Sequence, residues 1–324
     1  MSSEPGTYQI VQLTSLGDIF DAELARRFRV LRLWQRESPL QALSEHGGAS
    51  RVAVTSVRAG LTRQQIELMP ALQAACSWGV GYETLDVTAA VERGVLLSNT
   101  PDVLDDCVAD LAWALMLTVA RQTATGDRYV KNGEWRAIGM FPLSTRVSGK
   151  RLGILGMGRI GAAIAKRGAG FDMEIAYNNR HARPDSPYRF VDSLTELAQW
   201  ADFLVVACPG GAATRHLVSA DVLRALGSRG ILINIARGTV VDEAALEAAL
   251  RNGEVGGAGL DVLEHEPTVP DAFKSMDHVA LMPHVGSATH ETRADMARLV
   301  LDNVVSFFDD GALLTPVAET RGKA

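Results

Sequence analysis

Two doubly wound parallel-sheet domains are predicted by two series of alternating segments and by a glycine-rich turn that opens the second series. Between Tyr8 and Thr100, short β-rich runs (YQIVQLT, VLRLW, RVAVTS, LQAACSW and VLLSNT) alternate with amphipathic segments such as FDAELARRF and TRQQIELM. Alternation of this kind means βαβ units, because a parallel strand pair needs a crossover long enough to hold a helix. The second series begins at Lys150 with RLGILG, MEIAYN, FLVVAC, GILINIA, VGGAGLDV and HVALMP, interleaved with helical patterns such as VDEAALEAALRNG. Both series define an α/β protein.

A helical stretch after Pro101 joins the two series, and a last one, THETRADMARLVLDNVVSFFDDG, follows the second. That last helix is expected to return to the first domain. The boundaries predicted are 1–100 with 289–324 for a substrate domain and 101–288 for a dinucleotide-binding domain, with an active-site cleft between them. A length of 324 residues suits two domains.

The net charge of −6 argues against a nucleic-acid or anionic-membrane partner, since phosphates attract basic faces. Cys76, Cys107 and Cys208 are odd in number and far apart, which disfavours a disulfide framework or a clustered metal site. No basic region followed by an apolar one marks the N-terminus, and the longest apolar stretch, 107–120, is too short to span a bilayer and contains Asp110. A cytoplasmic protein with small ligands and no metal is expected.

In RLGILGMGRIGAAIAKRGAG, the run 152–155 reads as a strand, Gly156, Gly158 and Gly161 form G-x-G-x-x-G, and 162–168 reads as a helix. Such glycines let the backbone turn tightly and approach a diphosphate, whose charge suits the amides at a helix start. This is the fingerprint of a Rossmann-type nucleotide-binding domain. An NAD site expects an acidic residue about 20 positions further on. Here stand Asn178, Asn179 and Arg180, followed by His181 and Arg183. A guanidinium matches a 2′-phosphate, so NADP(H) is favoured, with NAD(H) as the second coenzyme.

Arg237, Glu266 and His284 each end an apolar run of the second series, and ligands of parallel α/β sheets bind at the carboxyl ends of strands. Interconverting a 2-keto and a 2-hydroxy acid needs a proton donor at the carbonyl oxygen and a cation for the carboxylate. Imidazole titrates near neutrality, a neighbouring carboxylate favours its protonated form, and a guanidinium fork matches a carboxylate. His284, Glu266 and Arg237 are the candidates for these roles.

The chain resembles the D-isomer-specific 2-hydroxyacid dehydrogenase family, and within it the glyoxylate/hydroxypyruvate and hydroxyphenylpyruvate reductases. The matching segments are CSWGVGYETLD, SNTPDVLDDCVADLAWALML, RYVKNGEW, the glycine turn, INIARGTVVDEAALEAAL, GAGLDVLEHEP and PHVGSATHETR. The resemblance implies a flavodoxin-like substrate domain, hydride transfer to small 2-keto acids, and a homodimer. It assigns Arg237 to substrate binding and carbonyl polarisation, His284 to acid/base work and Glu266 to partnering His284. The pattern D-V-x-x-x-E-P selects Glu266 and leaves Glu264 as a surface charge. It places the Val80 and Gly81 amides at the substrate carboxylate and Arg159 and Ile160 at the diphosphate. Asn178, Asn179 and Arg180 fall at the adenosine side, and Cys208, Pro209, Thr214, Ile235 and Ala236 along the dinucleotide. Asp261 and Gly286 fall near the nicotinamide.

Relatives often carry Asp where Glu83 stands, and Trp78 puts a bulky ring before the substrate loop. Met140, Phe141 and Leu143 lie where the reductases reach toward the neighbouring subunit, so Trp78, Met140 and Phe141 are candidates for setting substrate width. The apolar stretch 108–119 is consistent with a dimer. Two other readings are an NAD-dependent D-2-hydroxyacid or D-3-phosphoglycerate dehydrogenase and a dinucleotide-sensing, corepressor-like binding protein.

Overall fold

The computed structural model describes residues 7–321. It divides into two compact units, one made of the chain up to Leu104 and from Thr289 onward, the other of Asp105–Ala288.

Among the described residues, the first unit holds five strands: β1 (Ile10–Gln12), β2 (Val30–Arg32), β3 (Val52–Ser56), β4 (Ala74–Trp78) and β5 (Leu96–Ser98). They pair in the order β2-β1-β3-β4-β5, all parallel. This is the flavodoxin order. The strands read as nearly continuous apolar runs because both faces are covered. Leu31, Ala53, Ala75 and Leu97 belong to one buried layer, and Ile10, Val54, Ala74 and Cys76 to the other. The helix His290–Asp310 adds Val300, Val304 and Phe307 to the second layer. It starts where the Thr289 hydroxyl accepts the Thr292 N–H and stops at Gly311, whose φ of 72° suits glycine.

The second unit contains β6 (Arg151–Leu155), β7 (Glu174–Asn178), β8 (Arg189–Phe190), β9 (Phe203–Val206), β10 (Ile231–Asn234), β11 (Gly257–Leu260) and β12 (Val279–Leu281). Their order is β12-β11-β10-β9-β6-β7-β8, again all parallel. This is the dinucleotide-binding order with one further strand at an edge. The sequence reading missed β8, a two-residue edge strand that pairs only with Ala176 and Tyr177 and is too short to show a period. Elsewhere the apolar runs outlast the ladders: Cys208, Ile235, Ala236 and Asp261 lie just past the carboxyl ends of their strands. The candidate site residues are concentrated there.

The apolar stretch 108–119 lies in the helix Asp105–Arg121, and its burial is accounted for inside this unit. Trp113 stacks on Phe171 with centroids 4.5 Å apart, and its indole N–H donates to the Ile164 carbonyl. The Leu115 side chain comes so near Gly259 that an added Cβ there would lie 2.9 Å from Leu115 Cβ. This stretch therefore gives no support to a dimer, contrary to the sequence reading. Among the described residues, no helix is long and apolar enough to cross a membrane, and no group of three or more His, Cys, Asp or Glu is placed to hold a metal.

Candidate active site

The glycine turn follows β6 and leads into the helix Arg159–Ala169. Its three glycines do different work. Gly156 has φ of 102°, and an added Cβ would lie 2.5 Å from the Cys208 amide nitrogen. Gly161 rests on Gly156, where a Cβ would meet the Gly156 carbonyl oxygen at 2.2 Å. Gly158, the exposed N-cap, has nothing within 4 Å of its would-be Cβ and provides no side-chain cap. The first-turn amides of a helix have no intrahelical acceptor. An uncapped helix start facing open space fits a dinucleotide's diphosphate.

Beyond β7 the three polar residues separate by role. The Asn178 amide donates to the Val191 and Asp192 carbonyls, which ties the strand end to the next segment. Asn179 Oδ1 accepts the Met157 N–H at 2.7 Å and so braces the glycine turn. Arg183 donates to the Met157 carbonyl at 2.9 Å and pairs with Asp185, which makes it a second brace. Arg180 is exposed on this edge.

Past β9, Cys208 carries a thiol that burial pushes up to about 11, which disfavours the thiolate. The Thr214 hydroxyl donates to the Pro209 carbonyl at 2.8 Å and closes that loop. Past β10, Arg237 sits on a turn shaped by Asn234. The buried Asn234 amide donates to the Arg237 carbonyl at 3.0 Å, and its oxygen accepts the Ala236 N–H at 3.1 Å. Ile235 and Ala236 are both buried. Gly210 lies against the Arg237 stem, where a Cβ would come within 2.5 Å of Cγ. Asn234 is a polar residue inside the run ILIN, and this interruption was the signal available in the sequence.

The loops after β11 and β12 bring Glu266 to His284. Glu266 Oε2 lies 2.7 Å from His284 Nδ1, while Oε1 accepts the Leu263 N–H at 3.2 Å. His284 has φ of 54°, a left-handed conformation uncommon outside glycine and asparagine. Asp261 holds it there. The Asp261 carbonyl accepts the His284 N–H at 2.8 Å, and the carboxylate accepts those of Val285 and Gly286 at 2.7 and 2.9 Å. Burial pushes the Asp261 carboxyl up, against the pull of the two amides and His284. Asp261 thus caps the His284 turn through both of its oxygens.

Glu264 corrects the sequence reading. Its side chain is only 9% exposed and accepts from Arg215 at 2.7 Å and contacts His216 Nε2 at 2.9 Å. A cavity of about 620 Å³ lined by Lys150, Arg151, Asp202 and Arg229 lies at the amino ends of the same strands, away from the glycine turn.

In the first unit, the loop after β4 is held by Thr100, whose hydroxyl accepts the Gly79 N–H at 3.1 Å, and by Asn99, whose amide donates to the Val80 carbonyl at 2.7 Å. Among the described residues, neither the Val80 nor the Gly81 amide donates to a protein acceptor. Trp78 packs into the layer covered by the long helix, with the Arg293 guanidinium 4.9 Å from its ring centroid. Phe141 lies on Tyr129 of its own unit, with centroids 5.4 Å apart, whereas Met140 is 61% exposed.

A Rossmann order with an open glycine turn, and a Glu–His pair and an arginine past the carboxyl ends of neighbouring strands, define a dinucleotide-dependent oxidoreductase. Residues 113–286 match the family "D-isomer specific 2-hydroxyacid dehydrogenase, NAD binding domain". The chain is 44% identical to glyoxylate/hydroxypyruvate reductase A of Arabidopsis thaliana, over 95% of this chain and 98% of that one. It is 43% identical to the hydroxyphenylpyruvate reductase of Plectranthus scutellarioides, with the same coverage. Among solved structures, an NADPH-dependent glyoxylate/hydroxypyruvate reductase of Sinorhizobium meliloti, in complex with NADP and malonate, superposes with a TM-score of 0.91 at 39% identity, covering 97% of this chain and 98% of that one. The chain belongs to the D-isomer-specific 2-hydroxyacid dehydrogenase family.

Proposed function

We propose that the protein is a reductase of small 2-keto acids, glyoxylate and hydroxypyruvate foremost, which gives the D-2-hydroxy acids and prefers NADPH. The observation that carries this reading is the 2.7 Å contact between His284 Nδ1 and Glu266, past the carboxyl end of the dinucleotide-binding sheet. The names of the related reductases from Arabidopsis and Sinorhizobium support the substrate class.

The amides of the first turn after Gly158, with Arg159 and Ile160, hold the diphosphate, and Arg180 meets the 2′-phosphate. Pro209, Thr214, Ile235, Ala236 and Gly286 line the rest of the dinucleotide's path. Bound there, NADPH supplies the hydride. The Val80 and Gly81 amides take the substrate carboxylate, and Arg237 binds the substrate and polarises its keto oxygen. Glu266 holds Nδ1 of His284, which leaves Nε2 as the ring nitrogen that would give the carbonyl oxygen its proton.

The protein acts as a cytoplasmic homodimer. Three free cysteines suit a reducing compartment. Trp135, Ile138, Met140 and Leu143, exposed by 59 to 98% within a stretch of nine residues, form an apolar segment suited to a second subunit. Sedimentation should give a dimer that dissociates in Ile138→Asp/Leu143→Asp. Initial rates with NADPH and NADH against glyoxylate, hydroxypyruvate, pyruvate and 4-hydroxyphenylpyruvate test the activity. Absence of turnover on the first two would refute it.

A further inference from the structure

Glu264 is tied to the two loops that carry Arg237 and Glu266. Its carboxylate meets both Arg215 and His216, which belong to the loop after β9. That loop is bonded to the turn after Arg237, where the His216 N–H donates to the Thr239 carbonyl at 2.8 Å and the Val218 N–H to that of Val240 at 3.0 Å. Gly238, next to Arg237, sits directly on the Leu263–Glu264 backbone. An added Cβ at Gly238 would lie 1.9 Å from the Leu263 carbonyl carbon and 2.3 Å from the Glu264 nitrogen. The Glu264 N–H donates to Glu243 at 2.9 Å, at the start of the helix Glu243–Arg251. One residue earlier, the Leu263 N–H fixes the Glu266 carboxylate.

The arrangement bears on geometry more than on bulk stability. Burial disfavours the Glu264 charge, yet His216 and Arg215 hold its carboxyl below the usual range, so the anion stays at neutral pH. Glu264 therefore pins three strand-end loops to one another, and two of them present the groups assigned to the reaction. The His216 backbone is itself left-handed, with φ of 51°, and the contacts around it hold it in that conformation.

We infer that Glu264 is a positioning residue that sets the spacing between Arg237 and the Glu266–His284 pair through its hold on Arg215 and His216. The inference rests on the roles proposed above for Arg237, Glu266 and His284. A displacement on the order of 1 Å in such a constellation costs up to about a hundredfold in rate. Glu264→Ala should lower kcat for glyoxylate reduction by about tenfold or more, while KM for NADPH stays within about twofold. Glu264→Gln keeps an acceptor oxygen for Arg215 and His216 and should restore kcat to within about threefold of wild type. The losses from Arg215→Ala and Glu264→Ala should be strongly non-additive in the double variant.

A purely structural role would lower the melting temperature and leave kcat per folded molecule unchanged. That result, with His284→Asn and Arg237→Ala both inactive, overturns the inference and leaves the site assignment standing. Full turnover in His284→Asn or Arg237→Ala overturns the site assignment and the inference together. If Glu264→Ala does not fold, Arg215→Ala/His216→Gln removes the same contacts from the other side, and the same two outcomes decide.

Discussion

Glu266 Oε2 lies 2.7 Å from His284 Nδ1, while the His284 backbone is held in a left-handed turn by Asp261. The first contact fixes the ring and the second fixes the chain, so the imidazole is held in a defined orientation. Asparagine tolerates the left-handed region, which makes His284→Asn the substitution that removes acid/base chemistry with least strain. It should cut kcat by about 10²- to 10⁴-fold and leave thermal unfolding close to wild type. Steady-state rates beside a melting curve check both halves.

Replacing Glu266 should cost turnover more than stability. Glu266→Gln takes the carboxylate away from Nδ1 of His284 while keeping an amide oxygen that can accept the Leu263 N–H, so the ring loses its fixed orientation and the loop keeps its fold. The variant should lower kcat for glyoxylate by about 10- to 100-fold with a melting temperature close to wild type. Steady-state rates beside a melting curve check this, and an unchanged kcat contradicts the pairing.

The glycine turn separates folding from binding. Gly156→Ala forces a side chain into φ of 102° and to 2.5 Å from the Cys208 nitrogen, so the variant should lose stability by about 1–3 kcal/mol or more. Gly158→Ala meets nothing within 4 Å and should fold normally. It should still raise KM for the dinucleotide, since the added methyl enters the space left for the diphosphate. Equal stability losses in the two variants would refute this division.

Much of this was legible in the residues, for particular reasons. Two-sided burial makes parallel strands read as apolar runs, so eleven of the twelve strands among the described residues were visible, whereas Arg189–Phe190 carries no period to detect. The histidine and its glutamate were found because their residue types are chemically distinctive and stand after strands. The residues that hold them were harder to see. Glu264 looked like a surface charge because nothing local in LEHEP shows that Arg215 and His216, nearly fifty positions away, cover it. Likewise, the apolar helix over 108–119 suggested a partner subunit, since sequence shows that a face must be buried but not what buries it.

On the proposed reading, coenzyme choice turns on Arg180. Asn178, Asn179 and Arg183 already make internal hydrogen bonds, and Arg180 is exposed beyond β7. Arg180→Ser should lower kcat/KM with NADPH by about 10- to 100-fold and change that with NADH by less than about threefold. Parallel losses with both coenzymes would show that Arg180 does not read the 2′-phosphate.

Away from the site, Arg151 and Asp202 give stability a pH dependence with a defined sign. The Asp202 carboxylate accepts from Arg151 Nε at 3.1 Å, from Arg151 Nη2 at 3.0 Å and from the Arg151 backbone N–H at 2.9 Å, joining the amino ends of β6 and β9. Partial burial raises its carboxyl pKa, but the Arg151 bonds outweigh this and hold it below the ordinary 3.8. A carboxylate with a depressed folded-state pKa contributes stability that is fully present above the unfolded value and is lost as pH falls through the folded one. The wild type should therefore exceed Asp202→Asn by a constant margin from neutrality down to about pH 5, and that margin should shrink below about pH 4. Urea unfolding of both proteins at pH 7, 5, 4 and 3 measures it. A margin that grows toward acid would mean that the carboxyl is destabilised rather than held by Arg151.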